Sequence, residues 1–366
     1  MMDRKPILKS ILVLCAVLAA STANATCPRL AAPGQFDDPP SWGNDSGPVV
    51  SGFVDSKRPS GGLFDLIHGV DLDGYNPVNH AEITSCGGKF AIVRINSHNN
   101  GQDQLDELFN ANMTGLAREH ISALPYYFLT LPADLRKISR FNNGLSAQDE
   151  ARIRKTYEDA GAAAAQSFLN LLATAHYDVP VNELAGLKGQ FVSVDVEQTP
   201  SDAGSANAKA AKYFGTFYGA AVCSWIKTVT TKLPQTVPFL YTFPAVYGDY
   251  LQFAAPDVNA CLGGMPVWVA RTYGNGWEAI RETDPTHCTG SSLCNTDRLV
   301  QKLCEIQGGN RCVIHQYTHR GTAIAIGRIV PHRPPPHIDF DRFYTSKTVP
   351  TNAQTQYVRV EDAFKP

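Results

Sequence analysis

Short runs rich in Val, Ile, Leu, Phe and Tyr recur along the chain, and between several of them the apolar residues fall at three- and four-residue steps. The first pattern predicts buried strands, the second amphipathic helices. Strands are predicted at Leu66–Leu72, Phe90–Asn96, Leu124–Leu129, Phe191–Glu197, Phe239–Phe243, Val267–Thr272, Val313–Thr318 and Ile338–Phe340. Helices are predicted over Asp103–Glu119, Ala147–Thr174, Ala206–Thr230 and Asp297–Gln307. Strands alternating with helices indicate an α/β fold of parallel strands joined by crossover helices. With more strands than helices, the pattern points to a single barrel whose later strands lack their helices.

The longest helix has a start signal. Ser146-Ala-Gln-Asp149 reads as a capping box, and Ile153, Tyr157, Ala160, Ala164, Phe168 and Leu171 form one apolar stripe behind it. We read it as scaffold. Residues 26–62, rich in Pro, Gly, Ser and Asp, follow neither hydrophobic period and are expected to form an irregular arm. The barrel is expected over 63–346 and a short tail over 347–366, with no second domain and no internal repeat.

The first residues follow a different pattern. Arg4, Lys5 and Lys9 precede the apolar run Ile11–Ala20, and Ala23-Asn24-Ala25 is a small-x-small cleavage site. This is the pattern of a secretory signal over 1–25, which gives an expected mature start at Thr26 and a secreted or periplasmic protein. The run is shorter than the roughly 20 apolar residues of a membrane span, and no later segment is expected to cross a bilayer. Export changes the cysteine arithmetic. Of nine cysteines, Cys15 would leave with the signal, and Cys27, Cys86, Cys223, Cys261, Cys288, Cys294, Cys304 and Cys312 would remain. An even set in an exported chain favours disulfides over a zinc site, although His287 and His315 flank the late cluster; the connectivity stays open. No metal or organic cofactor is expected. The 32 basic and 34 acidic side chains give a net charge of −2. That balance argues against nucleic acid or an anionic membrane as the main partner.

The chemistry concentrates on one strand. In Phe191-Val-Ser-Val-Asp-Val-Glu197, alternate residues share a face, so Ser193, Asp195 and Glu197 point away from Val192, Val194 and Val196. If the valines meet helices, the carboxylates face the barrel at its C-terminal rim, where barrel loops build active sites. Two close carboxylates raise one another's pKa, leaving an acid beside an anion, the combination that glycoside cleavage uses. An Asp-x-Glu pair also serves to bind a metal, cap a helix or face solvent. Gly69-Val-Asp-Leu-Asp-Gly74 repeats the device on the first strand, with Asp71 and Asp73 on one face. Converging acids in an exported chain favour a polysaccharide hydrolase.

The order of these segments resembles glycoside hydrolase family 25, the muramidase lysozymes, over roughly residues 66–344. Gly69-Val-Asp71 looks like its opening Gly-x-Asp; Phe90–Asn96 resembles its second strand; Pro125-Tyr-Tyr-Phe128 is similar to its Ala-Tyr-His-Phe; and Val194-Asp-Val-Glu197 resembles its Asp-x-Glu. Pro238-Phe-Leu-Tyr-Thr242, Pro266-Val-Trp-Val-Ala270, His315-Gln-Tyr-Thr318 and Ile338-Asp-Phe-Asp-Arg-Phe343 look like its closing segments. The resemblance implies a modified TIM-like barrel of five β/α units plus three β-strands. It also implies hydrolysis of the β-1,4 bond between N-acetylmuramic acid and N-acetylglucosamine, with peptidoglycan glycan strands as partner. Glu197 would be the general acid, Asp195 would assist a 2-acetamido group that attacks the anomeric carbon, and Asp71 and Asp339 would complete the acidic ring. Tyr126, Tyr241 and Trp268 would line the sugar groove, or else pack in the core. Arg94, with Asn96, would bind acetamido or lactyl groups, or else Arg94 would pair with a rim carboxylate. Retention and inversion both stay open.

Departures from the family pattern are also present. Asp73, Tyr75 and Asn76 replace its usual Ser, aromatic and Gln; Tyr127 stands in place of its His, and His315 in place of its Trp. Segments 131–158 and 281–311 look like insertions. The alternatives are a hydrolase of another acetamido-sugar polymer such as chitin, and a non-catalytic wall-binding protein.

Overall fold

The computed structural model describes residues 66–74, 78–85, 88–99, 102–130, 132–184, 187–270, 305–306, 309–310, 312–322 and 337–344. The signal, arm and tail, most of the 281–311 segment, Tyr75 and Asn76 lie outside the described residues.

The chain runs β1 (Leu66–Leu72), α1 (His80–Ser85), β2 (Phe90–Arg94), a hairpin of β3 (Asn96–Asn99) and β4 (Gln102–Leu105), α2 (Phe109–Arg118) and β5 (Ser122–Phe128). It continues through α3 (Ala147–Thr174), β6 (Val181–Leu184), β7 (Leu187–Asp195), α4 (Ala208–Lys232), β8 (Thr236–Thr242), α5 (Pro244–Asp249), α6 (Pro256–Gly263) and β9 (Val267–Ala270). After the short pair β10 (Glu305–Ile306) and β11 (Gly309–Asn310), β12 (Cys312–Thr322) and β13 (His337–Tyr344) end the fold.

Hydrogen bonding orders the main sheet β5-β2-β1-β13-β12-β9-β8-β7, and β5 also pairs with β7, so the sheet closes on itself. All neighbours in this ring are parallel except β13, which runs antiparallel to β12 and β1. Among the described residues, helices follow β1, β2, β5, β7 and β8, and β9, β12 and β13 complete the ring without helices. The barrel of five β/α units and three further strands is therefore present, and each predicted strand contributes to it, the last two residues of Val267–Thr272 lying outside the described residues.

Strand alternation divides the core in two. Phe90, Ile92, Leu124, Tyr126, Phe191, Phe239, Tyr241, Trp268 and Ile314 fill the barrel. Val192, Val194, Leu240, Val267 and Val269 face outward and pack with the helices. Each fully buried large apolar side chain contributes roughly 1.5–3 kcal/mol, so both faces of the sheet hold the barrel shut. Gly69 has a specific role there. A Cβ on it would lie 2.6 Å from the Phe90 ring, so glycine at this position lets that ring lie across the barrel beneath Asp71.

The helical layer corrects two details of the sequence pattern. Ser146 caps α3, accepting from Asp149 N at 3.1 Å, but its hydroxyl donates to the Asp149 carboxylate at 2.7 Å, so that carboxylate serves the hydroxyl and the box is half formed. The buried stripe runs through Tyr157, Gly161, Ala165, Phe168 and Leu171. It passes one residue beyond Ala160 and Ala164 because α4 approaches at Gly161, where a Cβ would meet the Ala221 carbonyl oxygen at 2.0 Å. Residues 147–158, placed by sequence within an insertion, are the first turns of this scaffold helix. Cys223 on α4 and Cys261 on α6 form a disulfide.

Two predicted helices also change. The helix expected over Asp103–Glu119 starts only at Phe109, because Asp103 is held in β4 and the Asp106 carboxylate accepts from Leu108 N at 3.1 Å, turning the chain just before the helix. Of Asp297–Gln307, Glu305 and Ile306 are in strand β10, paired antiparallel with β11, and the remainder lies outside the described residues.

Candidate active site

The C-terminal end of β7 is pinned from both sides. Leu129 N donates to the Asp195 carbonyl at 3.1 Å, Val196 N to the Tyr241 carbonyl at 2.9 Å, and the Thr242 hydroxyl to the Val196 carbonyl at 2.9 Å. These bonds continue the alternation past the last ladder pair, so Asp195 and Glu197 follow Ser193 on the inner face. Asp195 is buried, and among the described residues its Oδ1 has no hydrogen-bond partner. Burial pushes its carboxyl well above the usual range, Glu197 adds repulsion, and Arg94 pulls the other way. Glu197 is more open to solvent, and burial raises it too.

Across the barrel, β1 brings Asp71 opposite Asp339 of β13, and Gly69 opposite Asp341. The Asp71 Oδ1 atom is enclosed and, among the described residues, unpartnered. Its carboxyl is raised by burial first, then by Asp339, Asp341, Asp73 and Asp195. The predicted acidic ring of Asp71, Asp195, Glu197 and Asp339 thus comes together at the C-terminal rim.

The three aromatic positions lie within the barrel. Trp268 is only 1% exposed, while Tyr126 and Tyr241 keep 6% and 8%. Tyr241 and Trp268 are 4.3 Å apart between ring centroids, and Tyr126 meets Trp268 edge-on at 5.8 Å. Trp268 therefore belongs to the floor of the site, and no face of it is open for stacking on a sugar. Its Nε1 donates to Asp341 Oδ1 at 2.7 Å. The Tyr241 hydroxyl donates to Gln316 Oε1 at 3.0 Å, and Gln316 Nε2 donates to Asp339 Oδ2 at 3.0 Å.

Arg94 takes the ion-pair role, though with a partner outside the predicted set. Its Nε and Nη2 reach Asp106 Oδ2 at 3.0 and 2.9 Å, and Nη1 lies 4.0 Å from Asp73. Burial opposes its charge, but Tyr126, Asp106 and Asp73 outweigh burial and raise its pKa. Asn96 is a backbone clamp: its amide accepts from Phe128 N at 2.8 Å and donates to Phe128 O at 3.0 Å. Tyr127 faces the helices, its ring stacked near Trp225 and its hydroxyl bonded to Asp103.

Three site residues escaped the sequence patterns. Asp341 shares the Asp-x-Asp spacing seen on β1, and that repeated spacing was the signal for it. Asp106 lies where the helix prediction began too early, over the end of β4 and the turn after it. Gln316 is neutral, and nothing in its neighbourhood distinguishes it. Among the described residues, no three His, Cys, Asp or Glu side chains converge with metal-holding geometry. What the arrangement offers is an acid and an anion side by side, backed by further carboxyls.

No protein-family model matches the chain, and no curated protein matches it in sequence. Several solved structures match it. The spore cortex lytic enzyme SleM of Clostridium perfringens is 17% identical with a TM-score of 0.46, covering 78% of this chain and 69% of that one. The bacterial lysozyme of Streptomyces coelicolor is 18% identical with a TM-score of 0.37, over 76% and 91%. The family GH25 lysozyme of Aspergillus fumigatus is 13% identical with a TM-score of 0.40, over 76% and 94%. At such identities and scores, the functional reading rests on the site's own geometry.

Proposed function

We infer that the protein is an exported glycoside hydrolase of the muramidase type, cutting the β-1,4 bond between N-acetylmuramic acid and N-acetylglucosamine in peptidoglycan. The observation that carries this reading is the Asp195 and Glu197 pair, both raised by burial, at the barrel's C-terminal rim and facing Asp71 and Asp339. Two coupled carboxyls raised in this way retain a proton toward neutral pH, and the proton belongs to the pair. An acetamido N–H that donates to Asp195 stabilises its anion and leaves the proton on Glu197. Glu197 then protonates the leaving glycosidic oxygen as the acetamido carbonyl oxygen attacks the anomeric carbon and the carbon–oxygen bond breaks. The Glu197 carboxylate next takes a proton from the water that opens the intermediate. The two displacements together retain the anomeric configuration.

Supporting features come from the rest of the chain. The signal pattern over 1–25 and the Cys223–Cys261 disulfide fit an oxidising, exported setting. Loss of Asp3, Arg4, Lys5 and Lys9 with the signal would take the net charge from −2 to −4, so substrate recognition rests on groove contacts more than on attraction to an anionic wall. The test is parallel digestion of purified peptidoglycan and chitin by the mature protein with its disulfide intact. Soluble fragments from peptidoglycan are expected. Release from chitin alone would move the activity to another acetamido-sugar polymer, and release from neither would leave a wall-binding protein.

A further inference from the structure

We propose that Gln316 is a positioning residue that fixes the Asp339 carboxylate for hydrolysis; this rests on the muramidase reading above. Gln316 is 4% exposed and lies between Tyr241 on β8 and Asp339 on β13, with both hydrogen bonds at 3.0 Å. The direction of this chain is dictated by its ends. A carboxylate only accepts, so the amide must turn its nitrogen to Asp339, which leaves its oxygen toward Tyr241. The Tyr241 hydroxyl must then donate to that oxygen, so its proton is committed inside the barrel and is withheld from a sugar. The register contributes as well. Gln316 pairs with Asp341 on β13, just before a register shift, and with Ala270 on β9, so its backbone is anchored on both sides, and burial with two hydrogen bonds holds its side chain. Opposite Asp339 stands Asp71, whose proton is held partly by Asp339's charge. Turning Asp339 would therefore change both its own aim and the proton balance of the facing acid.

Gln316→Glu tests this with almost no change of shape. It replaces the donating nitrogen by an oxygen that donates only when protonated. The expected result near neutral pH is a loss of kcat of about tenfold or more, the cost of one hydrogen bond to a charged group, with KM little changed. Activity relative to wild type should recover as the pH falls and the introduced carboxyl gains its proton. The swap Asp339→Asn with Gln316→Glu restores a donor–acceptor pair of reversed direction. It should regain the Tm lost by Gln316→Glu alone and should not regain kcat. A Gln316→Glu profile superimposable on wild type at every pH would overturn the proposal, as would recovery of kcat in the swap. A wild type inactive on every glycan would overturn the muramidase reading and this proposal with it, whereas an active wild type with an indifferent Gln316 would overturn the proposal alone.

Discussion

Asp71 on β1 stands directly opposite Asp339 on β13, and two pairs further into the barrel Asp341 stands opposite Gly69. Two adjacent strands therefore set three carboxyls on the inner face of the barrel, with the Phe90 ring filling the space where Gly69 has no side chain. Like charges at this spacing repel, and a barrel interior does little to screen them. The fold accommodates them by keeping protons on some: burial and the neighbouring acids raise Asp71, and burial followed by Asp339 raises Asp341.

Stability should therefore depend on pH in a specific direction. A carboxyl raised in the folded chain keeps its proton where the unfolded chain, near pH 3.8, has already lost it. Folding then binds a proton, so this contribution is complete below the unfolded value and is lost as pH rises through the folded one. Asp71, Asp195 and Asp341 all act in this sense. Asp202 and Asp257, both lowered, act oppositely, below the ordinary Asp range. Tm is expected to fall from mildly acidic to neutral pH, and Asp341→Asn should flatten that fall and raise Tm at pH 7. An unchanged slope in the variant would count against a protonated Asp341.

Truncating the hydrogen bond beneath the site is expected to be felt in the fold. Trp268→Phe keeps an aromatic ring but removes the donor 2.7 Å from Asp341 Oδ1. A cost of about 1–3 kcal/mol is expected for the buried oxygen left unpaired, measured by chemical denaturation, with KM for glycan nearly unchanged. A large rise in KM at unchanged stability would restore Trp268 to the sugar groove.

Arg94 is expected to act on the proposed catalytic pair through its charge. Because it opposes the upward shift of Asp195, Arg94→Met should move both limbs of the activity–pH profile to higher pH. The Asp106 carboxylate, with a side chain 1% exposed, would also lose its cation, a change costing about 3–5 kcal/mol for a buried pair. Arg94→Lys keeps the charge, so its profile should stay close to wild type. A profile that Arg94→Met leaves in place would detach Arg94 from the pair.

The pair itself should be indispensable. Glu197→Gln removes the transferable proton and Asp195→Asn the acceptor for the acetamide, and each is expected to lower kcat by about 10²–10⁴-fold. Circular dichroism and glycan binding should remain as in wild type. Near-normal turnover of either variant would take that residue out of its assigned role.

The barrel was legible because strand alternation is a local property. In Phe191–Glu197 the valines and the acids separate by period alone, and the structure places them on opposite sides of β7. Contacts between strands were not legible. Nothing near Arg94 in sequence singles out Asp106 as its partner, because Asp106 and the end of β4, which the β3–β4 hairpin carries back toward Arg94, read as helix. Trp268 and Tyr241 carried equal claims to groove and core, and the deciding facts were partners 73 and 75 residues away, Asp341 and Gln316. Gln316 carries no charge and no period, so only the closed barrel reveals it.

The most direct test of the assigned chemistry is the identity of the sugar end released from peptidoglycan. The mature protein, with the Cys223–Cys261 disulfide intact, is incubated with purified peptidoglycan, and the soluble fragments are reduced with borohydride and weighed by mass spectrometry. Fragments ending in reduced N-acetylmuramic acid, absent from the Glu197→Gln digest, are the expected result. Fragments ending in reduced N-acetylglucosamine, or no fragments at all, would contradict it.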